Sequence, residues 1–153
     1  MSAAQNEAEW VIRLAQTEDR ADWAELRREL WPQCSRQRHL LEIEQVLASS
    51  GVVALACVRG EPVGFAEVSL RHDHVEEATI TPIPYLEGWY VAKSHRRQGI
   101  GTALVAFVEQ WSREHGFQEI ASDAESANLG SRRMHLRLGF REGTSTVHFI
   151  KAL

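Results

Sequence analysis

The chain has 153 residues, two cysteines and a formal net charge of −4 from 17 basic and 21 acidic side chains. That length supports one domain over residues 1–153, burying about two-thirds of its unfolded surface. Cys34 and Cys57 give no support to a disulfide framework, structural zinc or a catalytic thiol. The acidic balance argues against nucleic acid as a main partner and mildly favours cationic small molecules, and no apolar run reaches a membrane span.

Residues 1–9 are polar and acidic, unlike a signal peptide, so a cytoplasmic location is expected. Val11–Leu14 alternates as a first strand. Thr17-Glu18-Asp19 then starts a helix carrying Trp23, Leu26 and Leu30, ended by Pro32. A second helical run holds Leu40, Leu41, Ile43, Val46 and Leu47 and breaks at Ser49-Ser50-Gly51. Val52–Val58 and Val63–Leu70, joined through Gly60 and Pro62, predict an antiparallel hairpin. After a loop from His72 to Pro84, the pattern gives a strand over Leu86–Ala92 and a helix over Gly101–His115. A strand over Phe117–Ser122, a helix over Leu129–Leu138 and a last strand over Thr146–Ile150 follow. Strands interrupted by helices in this order predict one mixed α/β sheet with helices on its faces.

The strand ending at Ala92 meets the following helix through Arg96-Arg97-Gln98-Gly99-Ile100-Gly101. Two glycines let backbone approach a ligand, a helix start offers unpaired N–H donors, and two arginines add charge, so the turn suits a pyrophosphate. It is neither a P-loop, lacking Gly-Lys-Ser/Thr, nor a dinucleotide fingerprint, lacking the third glycine. As a plain strand-to-helix turn, the segment carries no ligand.

This segment resembles the acetyl-CoA loop of the GCN5-related N-acetyltransferases, with Lys93 where that family usually has proline. A second match starts at Asn128 and ends in His135-Leu136-Arg137-Leu138-Gly139-Phe140. The resemblance implies acetyl-CoA as cosubstrate, no metal, and two parallel strands, Leu86–Ala92 and Phe117–Ser122, that splay to admit the pantetheine arm. It places the carbonyl-binding backbone N–H at Tyr90 or Val91. The pyrophosphate falls to Arg96, Arg97, Gln98, Gly99, Ile100, Gly101 and Thr102, with Asn128 and Ser131 at the pantetheine or phosphate end. For those last two the plain alternative is a helix N-cap and a solvent-facing hydroxyl. His135 stands where the wider family has a tyrosine acid, and an imidazole can substitute or merely pack there.

Acyl transfer to an amine needs a neutral nitrogen and a route for its proton. Glu87, on the strand bordering the implied gap, is the candidate to bind or deprotonate that amine; otherwise it is an exposed strand carboxylate. Leu30-Trp31-Pro32, the run Val63–Arg71, Pro84–Val91 and Ala121–Glu125 are similar to the chromosomal-type aminoglycoside 6′-N-acetyltransferases. That likeness implies acetylation of the 6′-amine of aminoglycosides, antibiotic resistance, and a homodimer. A polycation calls for carboxylates and aromatic walls: Glu87, Asp123 and Glu125, with Asp73, Glu76 and Glu77 on the preceding loop, and Trp23, Trp31 and Tyr85. His72-Asp73-His74 has a metal-ligand spacing but no further His or Cys cluster to complete a set. The alternatives are an acetyltransferase for another amine, such as a polyamine or a protein N-terminus, and an acyl-CoA sensor without turnover.

Overall fold

The computed structural model describes residues 9–153, and the polar lead of residues 1–8 lies outside them. Five strands form one sheet in chain order: β1 (Trp10–Leu14), β2 (Val52–Val58), β3 (Glu61–Arg71), β4 (Ile83–Val91) and β5 (Ala121–Ser122). The first three pairings are antiparallel and β4–β5 is parallel, giving the expected mixed α/β sheet. Helices α1 (Arg20–Leu30) and α2 (Arg36–Ala48) pack on one face and α3 (Ile100–Glu114) on the other; α4 (Leu129–Arg137) follows β5.

The period of two along β2 feeds both cores. Val52, Ala54 and Ala56 join Leu104, Val105 and Val108 of α3, while Val53, Leu55 and Cys57 join Trp23, Leu26 and Ile43 of α1 and α2. Covered on both sides, the strand reads as an unbroken apolar run. Glu67 enters the α1/α2 core because it shares a face of β3 with Phe65. It is 4 % exposed and accepts from Trp23 Nε1 at 2.7 Å and from Arg27 Nη1 at 2.5 and 2.6 Å. Burial pushes the Glu67 carboxyl up, and the Arg27 guanidinium opposes that rise. Removing one partner of such a pair strands the other in the core, so the pair pins α1 to β3.

Several elements differ from expectation, and β4 starts at Ile83, inside the expected loop from His72 to Pro84. Thr17–Asp19 forms a 3₁₀ turn, so α1 starts at Arg20. β5 keeps only two of six anticipated residues. The expected strand over Thr146–Ile150 is not formed: residues 141–153 carry no regular structure, and Phe149 and Ile150 are fully exposed. Alternation supplies β propensity, but a strand exists only where a ladder partner accepts it, and none of the described residues pairs with that segment.

Arg13 donates to both Asp19 carboxylate oxygens at 2.7 Å, and the Gln16 N–H to one of them at 2.8 Å. The Arg13 bonds, against some desolvation and with help from Gln16, hold the Asp19 carboxyl below its ordinary range. A depressed carboxyl stabilises the fold fully above the unfolded value of about 3.9 and loses that contribution as pH falls through the lower folded value. Asp19→Asn is expected to cost about 1–3 kcal/mol at neutral pH. In urea unfolding across pH, the difference from the parent chain should narrow below about pH 4.

Candidate active site

β4 and β5 pair at two positions only, Tyr85 with Ala121 and Leu86 with Ser122. Beyond Leu86 the strands part, so the peptide groups of Gly88–Val91 on the β5 side have no strand partner. Tyr90 and Val91 border this gap. Arg96 Nε donates to the Val91 carbonyl at 2.8 Å, tying the next turn to the strand end.

The chain then makes a short 3₁₀ turn, Lys93–His95, and reaches α3 through Arg97 (φ 63°) and Gly99 (φ 82°). Left-handed residues on either side of Gln98 curl the backbone in the manner of an anion nest. Gly99 caps α3 with no side-chain bond, and the Ala103 N–H, bonded to Gly99 O at 3.0 Å, is the first to find a helical carbonyl. The N–H groups of Ile100, Gly101 and Thr102 are therefore open donors, with no acidic residue in the first turn. Ile100 is buried, so only its backbone is available, whereas Arg96, Arg97 and Gln98 are exposed. The residues expected to meet a pyrophosphate thus share one turn. Trp89 closes its inner side, donating from Nε1 to Gly101 O at 3.1 Å.

Where β4 and β5 fork, Ser122 Oγ lies 3.4 Å from Leu86 O and 2.8 Å from His135 Nε2. His135 Nδ1 lies 2.7 Å from Ser131 O, and a carbonyl only accepts, so Nδ1 carries the proton and the Ser122 hydroxyl donates to Nε2. Trp89 and Phe140 meet the imidazole edge-on at 5.4 and 5.1 Å. Asn128 Oδ1 accepts from the Ser131 N–H at 3.1 Å and so caps α4, the plainer of its two readings.

Glu87 is the extra residue of a β-bulge: Glu67 pairs with Gly88 and Val68 with Leu86, leaving Glu87 without a partner. Its carboxylate turns to the face of β3 that carries Ser69 and Arg71. Ser69 Oγ donates to Oε1 at 2.6 Å; Arg71 donates from Nε to Oε1 and from Nη2 to Oε2, both at 2.7 Å. Sequence reasoning gave Ser69, Arg71 and Ser122 no role. Ser69 and Arg71 stand two apart on one strand face, but the carboxylate they meet depends on the bulge.

Two aromatic expectations are corrected. Trp23 is fully buried with its indole N–H on Glu67, so it offers no surface to a ligand. Its place in the apolar stripe with Leu26 and Leu30 makes it a core residue. Tyr85 is 6 % exposed, its ring lies under the Arg71 guanidinium at 3.4 Å, and its hydroxyl donates to Asp123 at 2.7 Å. It is a support for Arg71 rather than a wall for a sugar. Trp31 is the half-buried aromatic beside Glu87, lying across Gly88. Asp73, Glu76 and Glu125 are exposed, Glu76 faces His74 at 3.5 Å, and Glu77 accepts from Arg141 Nη1 at 2.5 Å.

A Cβ at Gly88 would stand 2.5 Å from Trp31 Cη2 and 3.1 Å from Phe65 Cε2. Gly88→Ala is therefore expected to displace the Trp31 indole and cost about 1–3 kcal/mol. A lower thermal midpoint with a shifted tryptophan emission would register both effects.

The model of the acetyltransferase (GNAT) family matches residues 16–140. The chain is 44 % identical to an aminoglycoside N(6′)-acetyltransferase type 1 of Stenotrophomonas maltophilia, over 91 % of each protein. It is 40 % identical to one of Klebsiella aerogenes, over 94 % of this chain and 97 % of that protein. Among solved structures it superposes on aminoglycoside N-acetyltransferase AAC(6′)-Iy in complex with CoA, with TM-score 0.89, 32 % identity and coverage of 95 % and 96 %. AAC(6′)-Iy with the bisubstrate analogue CoA-S-monomethyl-acetylneamine gives TM-score 0.88 at 32 % identity, with coverage of 95 % and 99 %. An open turn at a helix start, a strand pair that parts beside it, and this likeness over nearly the whole chain agree: the chain belongs to the GNAT acetyltransferase family.

Proposed function

We propose that this chain, as one acetyltransferase domain, moves the acetyl group of acetyl-CoA to the 6′-amine of aminoglycosides and so confers resistance to them. The observation that carries this reading is the parting of β4 from β5, with the uncapped start of α3 at one end and the Glu87 carboxylate on its border. The substrates named in its relatives support the choice of amine.

Arg96, Arg97, Gln98 and the N–H groups of Gly99–Thr102 would hold the pyrophosphate. The Asn128 side-chain NH₂ and the Ser131 hydroxyl are assigned to the pantetheine, since the Asn128 oxygen is spent on its cap. The unpaired N–H groups near Tyr90 and Val91 are the donors for the acyl oxygen. Acetyl-CoA supplies its acetyl group as a thioester: the acceptor nitrogen bonds to the acyl carbon, the C–S bond breaks, and sulfur leaves with the electron pair. Glu87 receives the proton from the acceptor ammonium, directly or through a water it holds. A thiolate whose thiol has an ordinary pKa of about 8.5 leaves without prior protonation and then takes the second proton of the attacking nitrogen; the Ser122–His135 pair is assigned to hydrogen-bond the sulfur, the Ser122 hydroxyl turning to it from His135 Nε2.

Asp73, Glu76, Asp123 and Glu125 are assigned as further carboxylates for a polycation, with Trp31 as the apolar wall. We assign a homodimer as well. Val147, Phe149, Ile150 and Leu153 are 76, 93, 102 and 114 % exposed on an unpaired tail of β-prone sequence. So much apolar surface on a chain end calls for a partner, and the outer edge of the short β5 lacks a strand. Among the described residues no helix is long and apolar enough to cross a membrane. A cytoplasmic location supplies the acyl donor.

Purified protein with acetyl-CoA and an aminoglycoside bearing a primary 6′-amine should release free thiol, and an analogue lacking that amine should not. Faster turnover of polyamines or peptide N-termini in the same assay would replace the proposed acceptor. Glu87→Gln should lower kcat about 10²-fold or more while leaving coenzyme affinity, read by calorimetry, within about twofold. Deletion of residues 146–153 should convert a dimer into a monomer in light scattering.

A further inference from the structure

Glu87 is crowded before any acceptor arrives. A carboxylate offers about four lone-pair positions. Oε1 accepts from Ser69 Oγ and Arg71 Nε, and Oε2 from Arg71 Nη2, at 2.6 to 2.7 Å. One position remains, on the side of Oε2 away from the guanidinium. Arg71 is itself held: its Cζ lies 3.4 Å over the Tyr85 ring, and Tyr85 is anchored to Asp123 across the fork of β4 and β5.

Such an arrangement has two opposed effects. The terminal torsion of a glutamate is broad, and Glu87 sits on a bulge where the ladder does not fix its neighbours, so an unclamped carboxylate would present its lone pairs in many directions. A bidentate guanidinium fixes the plane, which a point ammonium cannot do. The same guanidinium neutralises the carboxylate that a cationic amine would seek, and so weakens ground-state attraction for the acceptor.

On the reading that Glu87 meets the acceptor amine, we propose that Arg71 is a positioning residue that aims the one open lone pair of Glu87 at the acceptor nitrogen, gaining turnover at the expense of acceptor affinity. Its signature is a split between two constants. Arg71→Met should lower kcat about tenfold or more while acceptor binding, by calorimetry at low salt, holds or tightens a few-fold. Coenzyme affinity and the thermal midpoint should stay near those of the parent chain. Arg71→Lys keeps the charge without the fork, so it should not restore kcat.

The experiment compares the parent chain with Arg71→Met, Arg71→Lys, Glu87→Gln and the Arg71→Met/Glu87→Gln double variant, with acetyl-CoA and a 6′-amino aminoglycoside as probes. If Arg71 acts through Glu87, the double variant turns over no more slowly than Glu87→Gln alone. Multiplied losses, full rescue by lysine, or an unchanged kcat in Arg71→Met would overturn the assignment of Arg71 and leave Glu87 in place. Weakened acceptor and coenzyme binding together with a lowered thermal midpoint would reduce Arg71 to a structural role and overturn it too. Parent-like activity in Glu87→Gln would instead remove the reading of Glu87 itself. Should Arg71→Met fail to fold, Ser69→Ala frees a second lone pair on Oε1, and its kcat should fall about two- to fivefold with acceptor affinity retained; parent-like kcat there would count against the clamp.

Discussion

The site depends on a contact that stops early. β4 and β5 are parallel neighbours for two residue pairs and then separate, although β4 continues to Val91. Parallel strands normally stay paired and buried, because every unpaired peptide group inside a protein costs free energy. Under the proposed function the unpaired edge is an asset, since it leaves fixed donors facing a gap. Features assigned to chemistry stand at or beside the separation: Ser122 and His135 at the fork, Glu87 one residue beyond it, and the open start of α3 past the strand end.

Opening that gap is tolerable because the rest of the sheet is anchored on both faces. β2 lies between the α3 core and the α1/α2 core. Next to it, the buried Glu67–Arg27 pair fixes α1 to β3, and Trp31, immediately after α1, rests on Gly88. Rigidity therefore reaches the bulge from below. A carboxylate that must meet a substrate nitrogen is better held by packed neighbours than by a loop, because misplacement by about an ångström costs orders of magnitude in rate.

How much of this could be read from residues alone varied with the range of the interaction involved. The turn at Arg96–Gly101 was legible, since a strand, two glycines and an apolar helical stripe are local in sequence. The hairpin of Val52–Val58 and Val63–Leu70 is equally legible, since two β-rich runs flank a short turn. Trp23 was misjudged as a ligand contact even though its spacing with Leu26 and Leu30 already marked a core stripe; its buried bond to Glu67 spans 44 positions and cannot be seen locally. The bulge at Glu87 was hidden for the same reason, because it exists only in the register between β3 and β4. Without that register nothing links Arg71 to Glu87 rather than to Asp73 or Glu76. The tail at Thr146–Ile150 shows the converse: its sequence predicts a strand, but a ladder partner is not a property of the segment, and none forms.

Charge is sorted along β4 in a way that suits the two ligands proposed for it. Near Val91 stand Arg96, Arg97 and the positive end of α3; Glu87 stands in mid-strand, and Asp123 is bonded to Tyr85 at the other end. At about 3.3 Å per residue, Glu87 and Val91 are separated by roughly 13 Å of strand. An anionic donor held at one end and a cationic acceptor held at the other would meet between them, each repelled from the other's place. Net charge alone, at −4, could not have announced this polarity. It arises because a single strand carries an open helix start with two exposed arginines beyond its end and a bulged carboxylate in its middle. Arg71 is the exception on the acidic side, a cation among carboxylates, and its bond to both oxygens of Glu87 keeps that group ordered in an otherwise mutually repelling set.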